Sequence, residues 1–237
     1  IVTMPTIGAR RHAEKMQEWG VDAVIAQGAE GGGHTGSVPT TLLIPQAVEA
    51  VDIPVIGAGG FTDGRGLVAA LAWGASGIAM GTRFLLTADS RVPESVKSIY
   101  LTKTVNDTVV TKAIDGHPQR LIRTEVVDEI ESSSIAMRLP KAVKRALEFR
   151  KTTGTSYKDL LSEGLAMKKS QDLTWAQLAM AANAPMLIKA AMVDGHPEVG
   201  ILPTGQGIGV IDDLPTVAEL VERIVAEAYE TLARLSA

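Results

Sequence analysis

The 237-residue chain contains no cysteine. That excludes disulfides, thiolate metal sites and cysteine nucleophiles, and it fits a protein of the reducing cytoplasm. No remaining side chain cycles electrons readily, so redox chemistry here needs a bound cofactor. Basic excess is also missing. Lys and Arg total 23 against 27 Asp and Glu, a formal net charge of −4, which argues against nucleic acid or an anionic membrane as partner. No apolar run reaches the roughly 18–20 residues of a membrane span. No His, Asp or Glu cluster has metal-ligand spacing, so no metal is expected. A Walker lysine and a G-x-G-x-x-G dinucleotide fingerprint are both missing. The N-terminus "IVTMPTIGARR" lacks an initiator Met and a signal-peptide layout, and begins in an apolar, strand-like run. The expectation is a piece of a longer natural protein.

What is present is an alternation of short apolar runs and helical patterns. Ile1–Met4 reads as a strand. Ala9–Trp19 reads as a helix stopped by Gly20, and Val21–Gly28 as a buried strand. Thr40–Val51 reads as a helix and Ile53–Gly60 as a second buried strand. Thr62–Gly74 reads as a helix capped by Thr62 or Asp63, and Ala75–Phe84 as a strand ending in Gly81-Thr82. This βα alternation predicts parallel strands, either in a doubly wound sheet or in a (β/α)8 barrel. Farther along, Thr111–Glu131 reads as one extended piece and a helix. Leu139–Met192 reads as helical, with turns near Thr152–Thr155 and Ala184–Pro185. Thr216–Leu235 reads as an amphipathic C-terminal helix. The expected organisation is a βα half over 1–110, a helical region over 111–200, and a loop with a returning helix over 201–237.

Each strand ends in a glycine-bearing loop, and in both candidate folds ligands sit at the carboxyl ends of strands. "GAEGGGHTG" places Gly31, Gly32 and Gly33 directly before His34. Glycines there let main-chain N–H groups approach an anion or a flat ring, and His34 is a candidate general base or hydrogen-bond donor. "GAGG" supplies Ala58, Gly59 and Gly60, and one βα unit later come Gly81 and Thr82. Such loops on consecutive strands are what a phosphate site requires, and a mononucleotide such as FMN fits better than a dinucleotide. Gln206, in the loop "PTGQGIG", is a candidate ligand contact. His12 reads as solvated. His117 and His196 lie in "GHP" turns, the Met167, Met180, Met186 and Met192 set reads as helix packing, and Ser132–Ser134 lacks the setting of a nucleophile.

Together "AQGAEGGGHTG", "IPVIGAGGFTDGRGLVAALAWGASGIAMGTRF" and "GQGIGVIDDLP" resemble the nitronate monooxygenase family, whose fold the FMN-dependent enoyl-[acyl-carrier-protein] reductases share. The resemblance implies a (β/α)8 TIM barrel holding FMN at the carboxyl ends of its strands. It implies that Gly31, Gly32 and Gly33 line the flavin, with Gln27 near it. It implies that Ala58, Gly59, Gly60, Gly81 and Thr82 hold the phosphate, and that His34 is the active-site histidine. The family usually reads Glu-Ala-Gly-Gly-His, where this chain has Glu30 followed by three glycines. If the glycine pairs follow strands 7 and 8, His34 follows strand 6 and Ile1–Met4 belongs to strand 5. An N-terminal portion of roughly 100 residues or more is then expected, judged from the usual barrel size of ~250.

The leading expectation is an FMN-dependent oxidoreductase that oxidises alkyl nitronates with O2. The triple glycine and "HTGSVPTTLLIPQAV" resemble an actinobacterial subgroup with members acting on coenzyme A thioesters in steroid-ring breakdown. The alternative is therefore a reductase or dehydrogenase that uses the same flavin site with NAD(P)H and an acyl thioester. A third reading is a phosphate-binding barrel protein without redox activity.

Overall fold

In a computed structural model, which describes residues 1–132 and 175–237, the apolar runs form a four-stranded parallel sheet. Its strands are β1 (Thr6–Ile7), β2 (Val24–Gln27), β4 (Val55–Ala58) and β5 (Gly77–Ala79). They lie side by side in chain order, with only the short extended piece β3 (Gly33–His34) intervening in sequence. A doubly wound sheet reverses its strand order at a switch point; this sheet does not. Register is set by Ile7 opposite Ala26, Gln27 opposite Ala58, and Ala58 opposite Ala79.

Helices α1 (Arg10–Glu18), α2 (Thr40–Val48) and α3 (Gly64–Ala72) follow β1, β3 and β4. Val24, Ala26 and Val55 point into one core with Leu43, Ile44 and Ala47 of α2. Strand alternation puts Ile25, Gln27 and Ile56 on the other face, where they are half-buried. Helix ends follow local chemistry. Gly20 and Gly74 take positive φ values of 76° and 89° after α1 and α3. Of the two cap candidates for α3, Asp63 is the one used, accepting from the Gly66 N–H at 3.0 Å. The C-terminal helix α8 (Val217–Leu235) starts with a capping box in which Thr216 and Glu219 bond reciprocally. It packs tightly on α3: a Cβ on Gly64 would sit 2.4 Å from the Ile224 carbonyl, and Glu227 accepts the Gly64 N–H at 2.8 Å.

Two compact units divide the chain, Ile1–Ser90 with Tyr100–Thr108 and Thr204–Ala237, and Arg91–Ile99 with Val109–Pro203. The first unit holds the parallel sheet and α8. In the second, β6 (Thr108–Thr111) and β7 (Gln119–Ile122) are hydrogen-bonded neighbours. Helices α6 (Glu125–Ser132) and α7 (Trp175–Met192) complete a core around Ile114, Leu121, Val127 and Leu187.

Several expected elements moved. The first strand is Thr6–Ile7, not Ile1–Met4, because the Thr3 carbonyl is taken by the Asp22 and Ala23 amides and pairing with β2 begins after Pro5. The Ala75–Phe84 strand ends at Ala79, and Thr82–Leu85 is a helical turn, α4. Thr111–Glu131 contains β7 and α6, and β6 ends at Thr111, where one extended piece was expected. No turn interrupts Ala184–Pro185, since α7 runs through Pro185. Burial of Ala184, Leu187, Ala190 and Ala191 outweighs the one hydrogen bond that proline removes. The expected helix over 139–174, the turn at 152–155, Ser133, Ser134, Met167 and the side chain of Met180 lie outside the described residues. Among the described residues, no helix is long and apolar enough to cross a membrane, and no group of three acidic or histidine side chains is arranged to hold a metal.

Candidate active site

Parallel strands in one register deliver their carboxyl ends to one edge of the sheet. The loops Gly28–Thr35 after β2, Gly59–Asp63 after β4 and Met80–Thr82 around the end of β5 all start there. The C-terminal loop Thr204–Val210 joins them: the Gln206 N–H donates to the Glu30 carbonyl at 2.9 Å, and the Gly205 N–H donates to Thr82 Oγ1 at 2.9 Å. All four glycine motifs of the sequence thus meet in the first unit.

His34 is exposed at the end of the glycine run. Its carbonyl is held by Gln27, whose Nε2 donates at 2.7 Å. The Gln27 side chain fills the place where Gly31 would carry a Cβ, 2.6 Å from Gln27 Cγ. Gly32 lies against the Thr204–Gly205 backbone, where a Cβ would come within 2.4 Å of the Thr204 carbonyl carbon. Gly33 needs glycine for a different reason: its φ is +65°, in the left-handed region, with open space around it. So Gly31 and Gly32 are glycines because of the protein's own packing, and Gln27 braces the loop from beneath.

The loop after β4 is built around Thr40, the first residue of α2. A Cβ on Gly28 would sit 2.1 Å from Thr40 Oγ1, and one on Gly59 3.0 Å away. The Thr40 hydroxyl lies 2.7 Å from Glu30 Oε2 and 3.0 Å from the Gly59 carbonyl. Gly59 and Gly60 both have positive φ, 101° and 81°. Among the described residues, the amide N–H groups of Gly60 and Gly81 find no acceptor, and both residues are exposed. A Cβ at Gly81 would meet nothing within 4 Å. Ala58, by contrast, is buried in the strand.

This donor set fits the phosphate of a mononucleotide. Two exposed amides on adjacent loops are free to donate, and the Thr82 hydroxyl, which accepts from Gly205, keeps its own hydrogen to give. Asp63, the last residue of the first of these loops, is paired with Arg65.

Three residues of this region had no role in the sequence reading. Glu30 accepts from the Thr40 amide at 2.9 Å as well as from its hydroxyl. Arg83 is 4% exposed and anchors α4 to the C-terminal loop, donating to Asp213 Oδ1 at 2.8 Å and to the Leu86 and Asp213 carbonyls. The sequence signals were a polar residue inside a glycine loop and a threonine opening a helix. Neither has a fixed spacing, so neither could be read without the tertiary contacts.

The sequence profile of nitronate monooxygenases matches residues 1–227. The chain belongs to the nitronate monooxygenase family. Membership places it among oxidoreductases. Within that family it is 53% identical over all 237 of its residues to the (3aS,4S,5R,7aS)-5-hydroxy-7a-methyl-1-oxo-octahydro-1H-indene-4-carboxyl-CoA dehydrogenase of Rhodococcus jostii, spanning 67% of that protein. It is 44% identical over 121 residues, 47% of its length, to a probable nitronate monooxygenase of Staphylococcus aureus, of which the match covers 34%. Among solved structures, FabK from Thermotoga maritima superposes with a TM-score of 0.74 at 31% identity, over 99% of this chain and 63% of that one. This family member thus spans just under two thirds of the length of that solved structure.

Proposed function

We propose that the protein is an FMN-dependent dehydrogenase of a ring-hydroxylated acyl-CoA thioester, built on the wall of a (β/α)8 barrel. One observation carries the substrate class. Identity to the Rhodococcus indene-carboxyl-CoA dehydrogenase is 53% and runs through every residue of the chain, whereas identity to the staphylococcal protein is 44% and stops near half of it. The unreversed strand order and the likeness to FabK support the barrel.

In this reading the amides of Gly60 and Gly81 and the Thr82 hydroxyl hold the FMN phosphate, with Ala58 and Gly59 setting the path of the first loop. Gly31, Gly32 and Gly33 offer backbone to the flavin ring, and Gln27 keeps that backbone in place. Bound FMN would supply the redox step by accepting a hydride from the carbon that bears the hydroxyl. His34 takes the hydroxyl proton, as an exposed imidazole at the rim of the loop is placed to do. Gln206 sits where the C-terminal loop meets Glu30 and contributes a contact at the edge of the ligand. The nicotinamide coenzyme NAD(P) serves as the second redox partner. Lack of cysteine supports a cytoplasmic setting.

A second reading is oxidation of an alkyl nitronate by O2, favoured by the family match over residues 1–227. Anaerobic mixing separates the two. The FMN-loaded full-length protein is given a hydroxyacyl-CoA, an alkyl nitronate or NAD(P)H, and the visible flavin absorbance is followed. Bleaching by the thioester or by NAD(P)H supports the dehydrogenase. Bleaching by the nitronate alone supports the monooxygenase. A protein that takes up no FMN would return the case to a phosphate-binding barrel without redox activity.

A further inference from the structure

Helix α4 is a single turn. Two backbone bonds close it, from the Leu85 N–H to the Gly81 carbonyl at 2.9 Å and from the Leu86 N–H to the Thr82 carbonyl at 3.1 Å. A lone turn does not hold its shape in water, because fixing its residues costs more than so few bonds return. Yet the Gly81 amide and the Thr82 hydroxyl, at its start, must stand in fixed places to serve a phosphate. Bonds from outside the turn have to hold it.

The chain from Thr82 to Asp89 is fastened to one stretch, Thr204 to Val217, which leads into α8. At its start the Gly205 N–H donates to Thr82 Oγ1 at 2.9 Å. At its end the Ala88 N–H donates to the Pro215 carbonyl at 2.8 Å, and Asp89 accepts the Val217 N–H at 2.6 Å. Arg83 supplies the ionic bond between them. It is 4% exposed, and its Nη1 donates to Asp213 Oδ1 at 2.8 Å. Its Nη2 donates to the Asp213 carbonyl at 3.0 Å and to the Leu86 carbonyl at 2.7 Å. One side chain thus closes the far end of the turn and ties it to the C-terminal stretch. Its Nε is buried without a partner among the described residues, so the hold rests on the two terminal nitrogens. Asp213 is fastened in turn by Arg223 of α8, which donates to Oδ2 at 2.6 Å. All of these residues belong to the first unit.

We infer that Arg83 is a positioning residue: held on Asp213, it fixes the turn α4 so that the Gly81 amide and the Thr82 hydroxyl stand ready for the phosphate of the bound mononucleotide. The inference rests on the flavin reading above.

The rival role for a cation beside Thr82 is plain attraction of the phosphate, and two variants separate the roles. If Arg83 acts only by charge, Asp213→Ala removes a nearby anion and tightens phosphate binding, and Arg83→Lys, which keeps the charge, matches the parent protein. If Arg83 positions the turn, both variants weaken binding, since one ammonium does not reproduce the planar fork that spans Leu86 and Asp213. The measurement is the dissociation constant of the full-length protein for FMN and for riboflavin, which lacks the phosphate, at a temperature where circular dichroism shows each variant folded. Arg83→Lys, Arg83→Met and Asp213→Ala are expected to weaken FMN by about tenfold or more, the worth of one charge-assisted hydrogen bond. Riboflavin affinity is expected to stay within about twofold. Should Asp213→Ala not fold, Arg83→Lys decides alone. FMN binding that is unchanged in Arg83→Lys or tighter in Asp213→Ala would overturn the inference, as would equal losses for both flavins, which mean a general packing role. A parent protein that prefers FMN while the variants do not respond overturns the role of Arg83 alone. A parent protein that binds neither flavin overturns the flavin reading and this inference with it.

Discussion

Gln27 reaches seven residues along the chain to donate its Nε2 hydrogen to the His34 carbonyl, closing the glycine loop over its own side chain. The catalytic candidate is therefore held through its backbone from the floor of the sheet, while its ring stays exposed. Replacing Gln27 with Met keeps the bulk beneath Gly31 and removes the donor. Stability is expected to fall by about 1 kcal/mol, the net worth of one such bond. Turnover should fall further than stability implies, because the loop carrying His34 loses its tether. Urea unfolding alongside steady-state kinetics checks this, and unchanged kcat with normal KM would refute the tether.

Removing the His34 ring has the reverse profile. An exposed side chain adds little to the core, so His34→Ala should unfold within about 0.5 kcal/mol of the parent protein. Its kcat should fall by about 100-fold or more if the imidazole moves the substrate proton. Normal turnover by the variant would remove His34 from the chemistry.

Glycines that look alike in sequence should respond differently to alanine. Gly32→Ala drives a Cβ to 2.4 Å from the Thr204 backbone, which has no flexible end to yield, and a loss of about 2 kcal/mol or more is expected. Gly81→Ala meets open space at an ordinary φ of −90° and should leave stability unchanged within about 0.5 kcal/mol. Its effect should appear instead as weaker FMN binding, because the new methyl group stands beside an unpaired amide. Thermal unfolding of both variants without ligand, followed by flavin titration, distinguishes packing glycines from ligand-facing ones.

Acid stability should depend on Asp213. Hydrogen bonds from Arg223 and from the buried Arg83, with their positive charges, outweigh its partial burial and hold its carboxyl below the ordinary value of 3.8. A depressed folded pKa adds stability that is fully present above 3.8 and is lost as pH falls through the folded value. Asp213→Asn should therefore destabilise the protein at neutral pH, by about 2 kcal/mol, because Arg83 keeps its burial and loses its carboxylate. Across that acid range the variant's stability should fall less than the parent's. Parallel acid limbs in denaturant titrations would exclude the linkage.

Much of the molecule was legible from local pattern. Strand and helix positions followed from apolar runs between glycine stops, since backbone conformation is decided within a few residues. Gly20 and Gly74 ended their helices as written, and Asp63, one of the two candidates, capped α3. The places that failed were those where distant packing overrode a local signal, as at Pro185 within α7, or where pairing partners set the strand limits, as at Thr6–Ile7.

By itself the sequence determined that parallel βα units carry glycine loops at their strand ends, and that one of those loops bears a histidine. Glycine content, helix stops and the order of the motifs are local properties, written in the residues that show them. Only the tertiary structure decided why each glycine is there. Gly28 and Gly59 make room for Thr40, Gly31 for Gln27 and Gly32 for the Thr204 backbone, while Gly81 faces open space. Steric demand at a glycine comes from atoms far away in sequence, and no local pattern can say whether the neighbour is the chain itself or a ligand.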